Sequence, residues 1–171
     1  MNQTQEESLL SATNDTEPSE SNNSSPENIS DQGTMSDDGR DAWVLRKIAT
    51  VMGATGVTMG AFGAHALKET LSKKGTAAMW QTATNYQLFH SAAVLSLAAA
   101  AVSTSLPSST EQKAIASNHL LAGKLMGMGN LLFSGSIYLL AVDIGPKKIL
   151  GPVTPIGGLL MIAGWVIVGM V

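Results

Sequence analysis

Cysteine is absent from the chain. Disulfide bonds, thiolate catalysis and metal or iron–sulfur sites with cysteine ligands are therefore excluded. The signatures of several common enzyme sites are missing as well: there is no P-loop, no GxSxG nucleophile elbow, no HExxH zinc motif and no dinucleotide-binding fingerprint. We therefore nominate no catalytic, metal-ligating or cofactor-binding residue, and we expect a protein that is not an enzyme and holds no cofactor.

Acidic side chains are scarce over most of the chain. Of the thirteen Asp and Glu residues, ten lie in residues 1–42, which contain a single basic residue, Arg40. Residues 43–171 hold the other nine basic residues and only three acids. The low isoelectric point is therefore a property of the N-terminal segment, and no basic patch with interleaved aromatic residues predicts nucleic-acid binding.

Apolar residues are few in residues 1–42, which are rich in Ser, Asn, Asp, Glu, Thr and Gln. Such a segment cannot bury enough apolar surface to offset its ordering entropy, so we predict a disordered acidic tail. It does not resemble a secretory signal, which has a basic region followed at once by an apolar core, or a mitochondrial presequence, which is rich in arginine and poor in acids. Its five Asn-x-Ser/Thr sequons are either glycan acceptors on a lumenal tail or a chance product of this composition.

Long apolar runs fill residues 43–171, and the charged residues lie in the gaps between them. A membrane-spanning helix needs about 20 mostly apolar residues, and a soluble bundle built from four such runs would have too little polar surface. Short connections make sequence neighbours antiparallel neighbours in space. The sequence therefore predicts an all-α fold, an integral membrane bundle of four antiparallel transmembrane helices. Their expected ranges are about 44–67, 76–102, 119–142 and 152–170.

The ends of these four helices indicate one helix start and leave the orientation of the bundle open. Thr154 followed by Pro155 has the chemistry of a helix start, because threonine caps a helix and proline is tolerated in its first turn. Lys and Arg divide five against five between the two sides of the bundle, so the positive-inside rule assigns no orientation. We therefore predict an integral membrane protein without naming the membrane or the side on which the termini lie.

Glycines mark the faces along which we expect helices to pack. In the first helix they recur at spacings of three, four and three, which places them within one stripe of about 80°. Small residues let membrane helices approach closely. The predicted helix-packing residues are Gly53, Gly56, Gly60 and Gly63 in the first helix and Gly123 and Gly127 in the third.

Polar side chains within the apolar runs form a second pattern. Polar groups are costly in a bilayer, so each needs a partner or a function. We expect the face of the second helix that carries Gln87 and His90 to lie against the face of the third that carries Asn130, Ser134 and Tyr138. His90 is open to several readings: a proton relay, a haem or substrate ligand, or, most simply, a neutral imidazole hydrogen-bonded between helices.

Four blocks of sequence resemble the transmembrane protein 256 family, whose members are small four-helix membrane proteins with a domain of unknown function. The resemblance extends over roughly residues 44–168 and implies an integral membrane fold without an established activity or cofactor. The chain departs from the family pattern in its acidic tail and in the polar loop 103–118. The blocks are GAFGAHALK (60–68), TATNYQLFH (82–90), LFSGSIYLL (132–140) and GPVTPIGGLLMIAGW (151–165).

These observations predict a structural or accessory membrane component whose partners are the lipid bilayer and either further copies of itself or a larger membrane complex. The alternative is a small-solute channel or transporter formed by an oligomer, with Gln87, His90 and Asn130 along the path. The charged residues of the predicted helices, such as Arg46 and Lys124, lie toward helix ends, so we expect no membrane-embedded Asp, Glu, Lys or Arg, and ion-coupled transporters usually need one. The alternative therefore has the weaker support from sequence.

Overall fold

The computed structural model describes residues 37–104 and 109–170 of the 171-residue chain. These residues form five helices and no strand, so the predicted all-α class is confirmed for the described part of the chain. The helices are α1 (Asp37–Ala64), α2 (Lys68–Lys74), α3 (Ala77–Thr104), α4 (Thr110–Val142) and α5 (Lys147–Gly169).

Helix α4 has the most extensive packing. It packs along α5 on one side and along α3 on the other, and it touches α1 over a shorter stretch. Helix α1 packs mainly on α3. In the described residues the backbones of α3 and α5 do not pack against each other, so a space is left between them on one side of α4.

The surface of the helices differs from that of a soluble bundle. The interior combines small and polar residues, among them Asn130, with large apolar ones such as Val94 and Met126, but many other large apolar side chains point outward. Val51, Leu131 and Leu159, one from each of three helices, are 63%, 70% and 66% exposed. In water such a surface is an aggregation hazard, but in a bilayer it matches the surrounding hydrocarbon.

Three helices, α3, α4 and α5, are long and apolar enough to cross a membrane. The prediction of four spans is not met by this criterion, because α1 falls short of the required apolarity. The physical reason is visible in its composition: glycines and threonines occupy much of α1 from Thr50 to Gly63, and both lower the mean hydropathy of the helix.

Helix α1 begins earlier than the sequence predicts. Residues 1–36 of the predicted disordered tail lie outside the described residues, but residues 37–42 are helical and do not belong to a tail. Two acidic residues in the first turn favour the helix N-terminus electrostatically. Ala42 is buried, and the Asp41 carboxylate forms an ion pair with Lys124 Nζ on α4. These contacts hold the first turns against the bundle.

The connections also contain more helix than expected. The segment between the first two long helices folds into α2, whose Leu71 is buried and whose Lys74 Nζ donates to the Val142 carbonyl at 2.6 Å. Helix α4 starts at Thr110 rather than near residue 119, because Ser109 and Gln112 form a reciprocal capping box.

Helix α5 starts at Lys147, with Pro146 at its N-cap, so the predicted start at Thr154 and Pro155 is wrong. Pro152 and Pro155 both lie inside the helix. Each proline lacks an N–H group and so removes one backbone hydrogen bond from the first half of α5. The Thr154 hydroxyl turns back to the Leu150 carbonyl at 3.2 Å and adds a bond in the same region.

The backbones of α4 and α5 approach each other closely at Gly129 and Gly157. A Cβ atom added to Gly157 would lie 2.5 Å from the Phe133 nitrogen and 2.6 Å from the Gly129 oxygen. A Cβ atom added to Gly129 would lie 2.7 Å from the Gly157 oxygen. Further along, one added to Gly164 would lie 3.0 Å from the Ala122 oxygen. At Gly129 and Gly157 the nearest atoms belong to backbone and cannot rotate away, so only glycine permits this helix spacing.

Candidate functional site

The predicted glycine stripe of α1 lies along α3. Residue numbers fall along α3 as they rise along α1, so the two helices contact each other in opposite sequence order. At each glycine the nearest neighbour of an added Cβ atom is a side chain rather than backbone. The pairs are Gly53 with Ser91, Gly56 with Leu88, Gly60 with Thr84 and Gly63 with Trp80.

The two glycines nominated on α4 have different surroundings. Gly123 is buried against Leu45 of α1, where an added Cβ atom would lie 2.5 Å from a leucine methyl carbon. Gly127 is buried, but an added Cβ atom would meet nothing within 4 Å. The tight α4 glycine is Gly129, which sequence reasoning missed.

The predicted polar cluster is divided among several interfaces. Gln87 does not face α4: its Nε2 atom donates to the Met52 carbonyl of α1 at 2.9 Å and to the Thr55 hydroxyl at 2.8 Å. The expectation of a Gln87 and His90 face set against the polar stripe of α4 is therefore wrong for Gln87. The reason is geometric: α3 packs against both α1 and α4, and the Gln87 side chain reaches the backbone of α1.

Two α4 residues of the cluster, Ser134 and Tyr138, contact α3, and Asn130 bonds to Ser134 on its own helix. The Ser134 hydroxyl lies 3.0 Å from the Ala83 carbonyl of α3 and 3.0 Å from Asn130 Oδ1. The Tyr138 hydroxyl donates to the Thr84 hydroxyl at 3.2 Å. These bonds join α3 and α4 deep in the bundle, where an unpaired polar group would cost several kcal/mol, ~4–8 on a water-to-cyclohexane scale.

His90 contacts α5 instead of the α4 polar stripe. Its Nδ1 atom lies 2.9 Å from the Tyr86 carbonyl on the same helix. A carbonyl oxygen only accepts hydrogen bonds, so Nδ1 carries the proton and Nε2 is an acceptor. The Trp165 indole N–H of α5 points at this Nε2 atom from 3.4 Å. The side chain is buried, with 5% of its surface exposed.

An aromatic groove of about 550 Å³ lies beside this histidine, which forms part of its wall. It lies in the space between α3 and α5, over α4. Sequence reasoning did not nominate its walls, because the rings come from three helices and no single helical face groups them. The lining residues are Asn85, Tyr86, Phe89, His90, Phe133, Gly158, Met161, Ile162 and Trp165.

The rings of the groove are in mutual contact. Tyr86 and Phe133 have centroids 4.7 Å apart, and Phe89 and Trp165 are stacked at 5.9 Å with an interplanar angle of 30°. His90 meets Phe89 edge to face at 5.4 Å. Such offset and edge-to-face pairs are favourable by about 0.5–1.5 kcal/mol beyond their burial.

The other histidines lie apart from this groove. His65 follows the last residue of α1 and is exposed, which fits a position at the edge of the bundle. His119 of α4 is half-buried and its Nδ1 atom has no partner among the described residues. Within those residues, no three His, Asp or Glu side chains come together in an arrangement that can hold a metal ion.

Basic residues are concentrated at the α2 end of the bundle. One of the acidic residues there, Asp143, has an unusual backbone conformation. Asp143 ends α4 with a left-handed backbone (φ 69°), which asparagine, aspartate and glycine adopt most readily. A hydrogen bond from Lys147, with the charges of Lys147 and Lys74, lowers the pKa of the Asp143 carboxyl from its ordinary value. Because the carboxyl is fully exposed, solvent screens this interaction.

Comparison with protein families and curated proteins shows where the chain belongs. Residues 59–158 match the family described as "Protein of unknown function (DUF423)". The chain is 39% identical over 122 residues to the UPF0382 membrane protein SH2409 of Staphylococcus haemolyticus, covering 71% of this chain and 86% of that protein. It is 36% identical over 121 residues to the UPF0382 membrane protein C1782.12c of Schizosaccharomyces pombe, covering 69% and 92%.

A third relative comes from Escherichia coli. The chain is 37% identical over 119 residues to the UPF0382 inner membrane protein YgdD of strain K12, covering 68% of this chain and 79% of that protein. No solved structure matches the chain. The chain belongs to the DUF423 (UPF0382) family and is an integral membrane protein with apolar helices that fit a bilayer.

Replacing Gln87 with leucine tests whether the polar contacts stabilise the bundle. Gln87→Leu removes both hydrogen bonds to α1, and interhelical bonds of this kind contribute ~0.6–2 kcal/mol in membranes. We expect a lower thermal unfolding temperature in mild detergent. Gln81→Leu is the matched control, because Gln81 is exposed and bonds only to Asn85 on its own helix. Equal melting temperatures for the two variants would contradict the stabilising role of Gln87.

Proposed function

We propose that this member of the DUF423 family is a non-enzymatic accessory protein of a membrane, built from four antiparallel spans formed by α1, α3, α4 and α5. The single observation that carries the proposal is that the buried polar side chains form hydrogen bonds within the chain. Gln87 and Asn130, two of the three residues expected along a transport path, are hydrogen-bonded to other groups of the same chain. The resemblance to transmembrane protein 256 proteins supports the same four-span architecture.

The outward face of α1 supports its assignment as a fourth span. Val44, Ile48, Val51 and Phe62 are exposed on this face, as lipid-facing residues are. The threonines of α1 do not need water: the Thr50 hydroxyl donates to the Arg46 carbonyl at 2.7 Å, and two others bond backward in the same way. Such back-bonding satisfies hydroxyl groups within a membrane helix.

The order of contacts supports the antiparallel arrangement. Along α3 and α4, Thr76 meets Ala141 and Ala83 meets Ser134. Along α4 and α5, the Ser136 and Thr154 hydroxyls lie 2.6 Å apart, and Gly129 meets Gly157. In each pair the numbering rises on one helix as it falls on the other. The alternative of an oligomeric small-solute channel has no comparable support from the side-chain contacts.

Introduced cysteines test the four spans, because the natural chain has none. Each variant carries one cysteine, and a membrane-impermeant thiol reagent reports from which side of the membrane that cysteine is accessible. The variants are Arg40→Cys, Ser72→Cys, Lys113→Cys and Lys148→Cys. We expect the sites at 40 and 113 to react from one side of sealed vesicles and those at 72 and 148 from the other. Labelling of 40 and 72 from the same side would show that α1 does not span the membrane.

Solute flux tests the accessory role against the channel. Purified protein in liposomes should leave the passive permeability to K⁺, H⁺, urea and glycerol equal to that of empty liposomes of the same lipid. The physical reason is that Gln87, Asn130 and Ser134 are hydrogen-bonded to backbone carbonyls or to other side chains of the described helices, so they do not form a row of free polar groups. Reproducible flux that depends on protein density and falls in Asn130→Leu would support the channel and overturn the accessory assignment.

A further inference from the structure

The aromatic groove opens between α3 and α5, whose backbones pack on α4 and not on each other. Side chains of the two helices meet across it, as Phe89 and Trp165 do, and the groove is an opening in the outer surface of the described helices. Tyr86, Phe89 and Trp165 are each between 43% and 59% exposed there. Because large apolar residues surround this opening, a ligand that enters it comes from the hydrocarbon and not from water.

The size and chemistry of the groove fit a small organic ligand. A volume of about 550 Å³ falls within the ~300–1,000 Å³ of ordinary ligand pockets, which are mostly apolar and contain a few placed polar groups. Aromatic rings form most of the apolar walls, with Met161 and Ile162 beside them, and rings favour a flat ring over a flexible acyl chain because rings stack. Gly158 leaves room at the α5 wall: an added Cβ atom would meet only the Phe133 ring, at 3.8 Å.

The polar pair in the groove offers one acceptor and one donor. His90 Nε2 accepts, since its Nδ1 proton is used by the Tyr86 carbonyl, and Trp165 Nε1–H donates. Their mutual distance of 3.4 Å is longer than the ~2.7–3.2 Å of a normal N–H hydrogen bond. A ligand that donates to the histidine or accepts from the tryptophan can therefore replace this bond at small cost.

We propose that the groove binds the ring of a prenylated quinone or its quinol, with the prenyl chain lying outward among the lipid tails. A quinol hydroxyl donates to His90 Nε2, a quinone carbonyl accepts from Trp165 Nε1–H, and the flat ring stacks on the aromatic walls. The proposal concerns binding alone and includes no redox step. It is independent of the number of spans and of the accessory role.

The test is equilibrium binding of a tritiated benzoquinone with one isoprene unit to the protein in lipid nanodiscs. We expect saturable binding that unlabelled quinone displaces and farnesol, which has a prenyl chain without a ring, does not. Gly158→Leu fills the groove and should weaken binding at least tenfold. Gly151→Leu is the matched control on the same helix, because an added Cβ atom there meets nothing within 4 Å.

A second variant, His90→Phe, keeps an aromatic ring and removes the acceptor, so it should weaken quinol binding more than quinone binding. It keeps the proposal testable if Gly158→Leu fails to fold. Equal displacement by farnesol would reassign the groove to acyl chains, and absence of saturable binding would overturn the proposal. Loss of a dimer in Gly158→Leu, without any quinone binding to the parent protein, would instead identify the groove as an interface between copies of this chain.

Discussion

The contact between the backbones of Gly129 and Gly157 sets the geometry on which the rest of the bundle depends. Lipid tails are as apolar as leucine, so helices in a membrane gain little from hiding apolar surface and associate through close packing instead. The glycine pair brings α4 and α5 together where any Cβ atom would strike backbone. The neighbouring Ser136 and Thr154 hydroxyls can then meet, and Phe133 is placed at the base of the groove.

Polar side chains fix the register of two other interfaces, the one between α3 and α4 and the one between α1 and α3. Bonds from Ser134 and Tyr138 tie α4 to α3, and Gln87 ties α3 to α1. Each hydrogen bond contributes only a small net free energy. A shifted register would leave these polar groups unpaired in hydrocarbon, and that costs more free energy than the native bonds contribute. His90 differs from this set because its interhelical bond is long and its edge is open to the groove.

The sequence predicts the helical class because the apolar runs are long, and the regular spacing of the α1 glycines predicts one common face. It does not predict the ends of α1 and α5. Acidic residues resemble a tail until the Asp41 and Lys124 contact is seen, and Pro152 resembles a helix boundary although the helix continues through it. Side-chain partners were also hard to predict, since α3 has a neighbour on more than one flank and composition alone cannot decide which one Gln87 faces.

The most direct test of the glycine contact compares two adjacent residues, Gly157 and Gly158. Both Gly157→Ala and Gly158→Ala add one methyl group and raise helix propensity by ~1 kcal/mol. Only the first places that methyl group against the Gly129 and Phe133 backbone, where overpacking typically costs ~1–3 kcal/mol. Thermal unfolding in mild detergent should show a lower melting temperature for Gly157→Ala and an unchanged or higher one for Gly158→Ala. Equal melting temperatures would contradict the claim that this backbone contact determines the packing of α4 and α5.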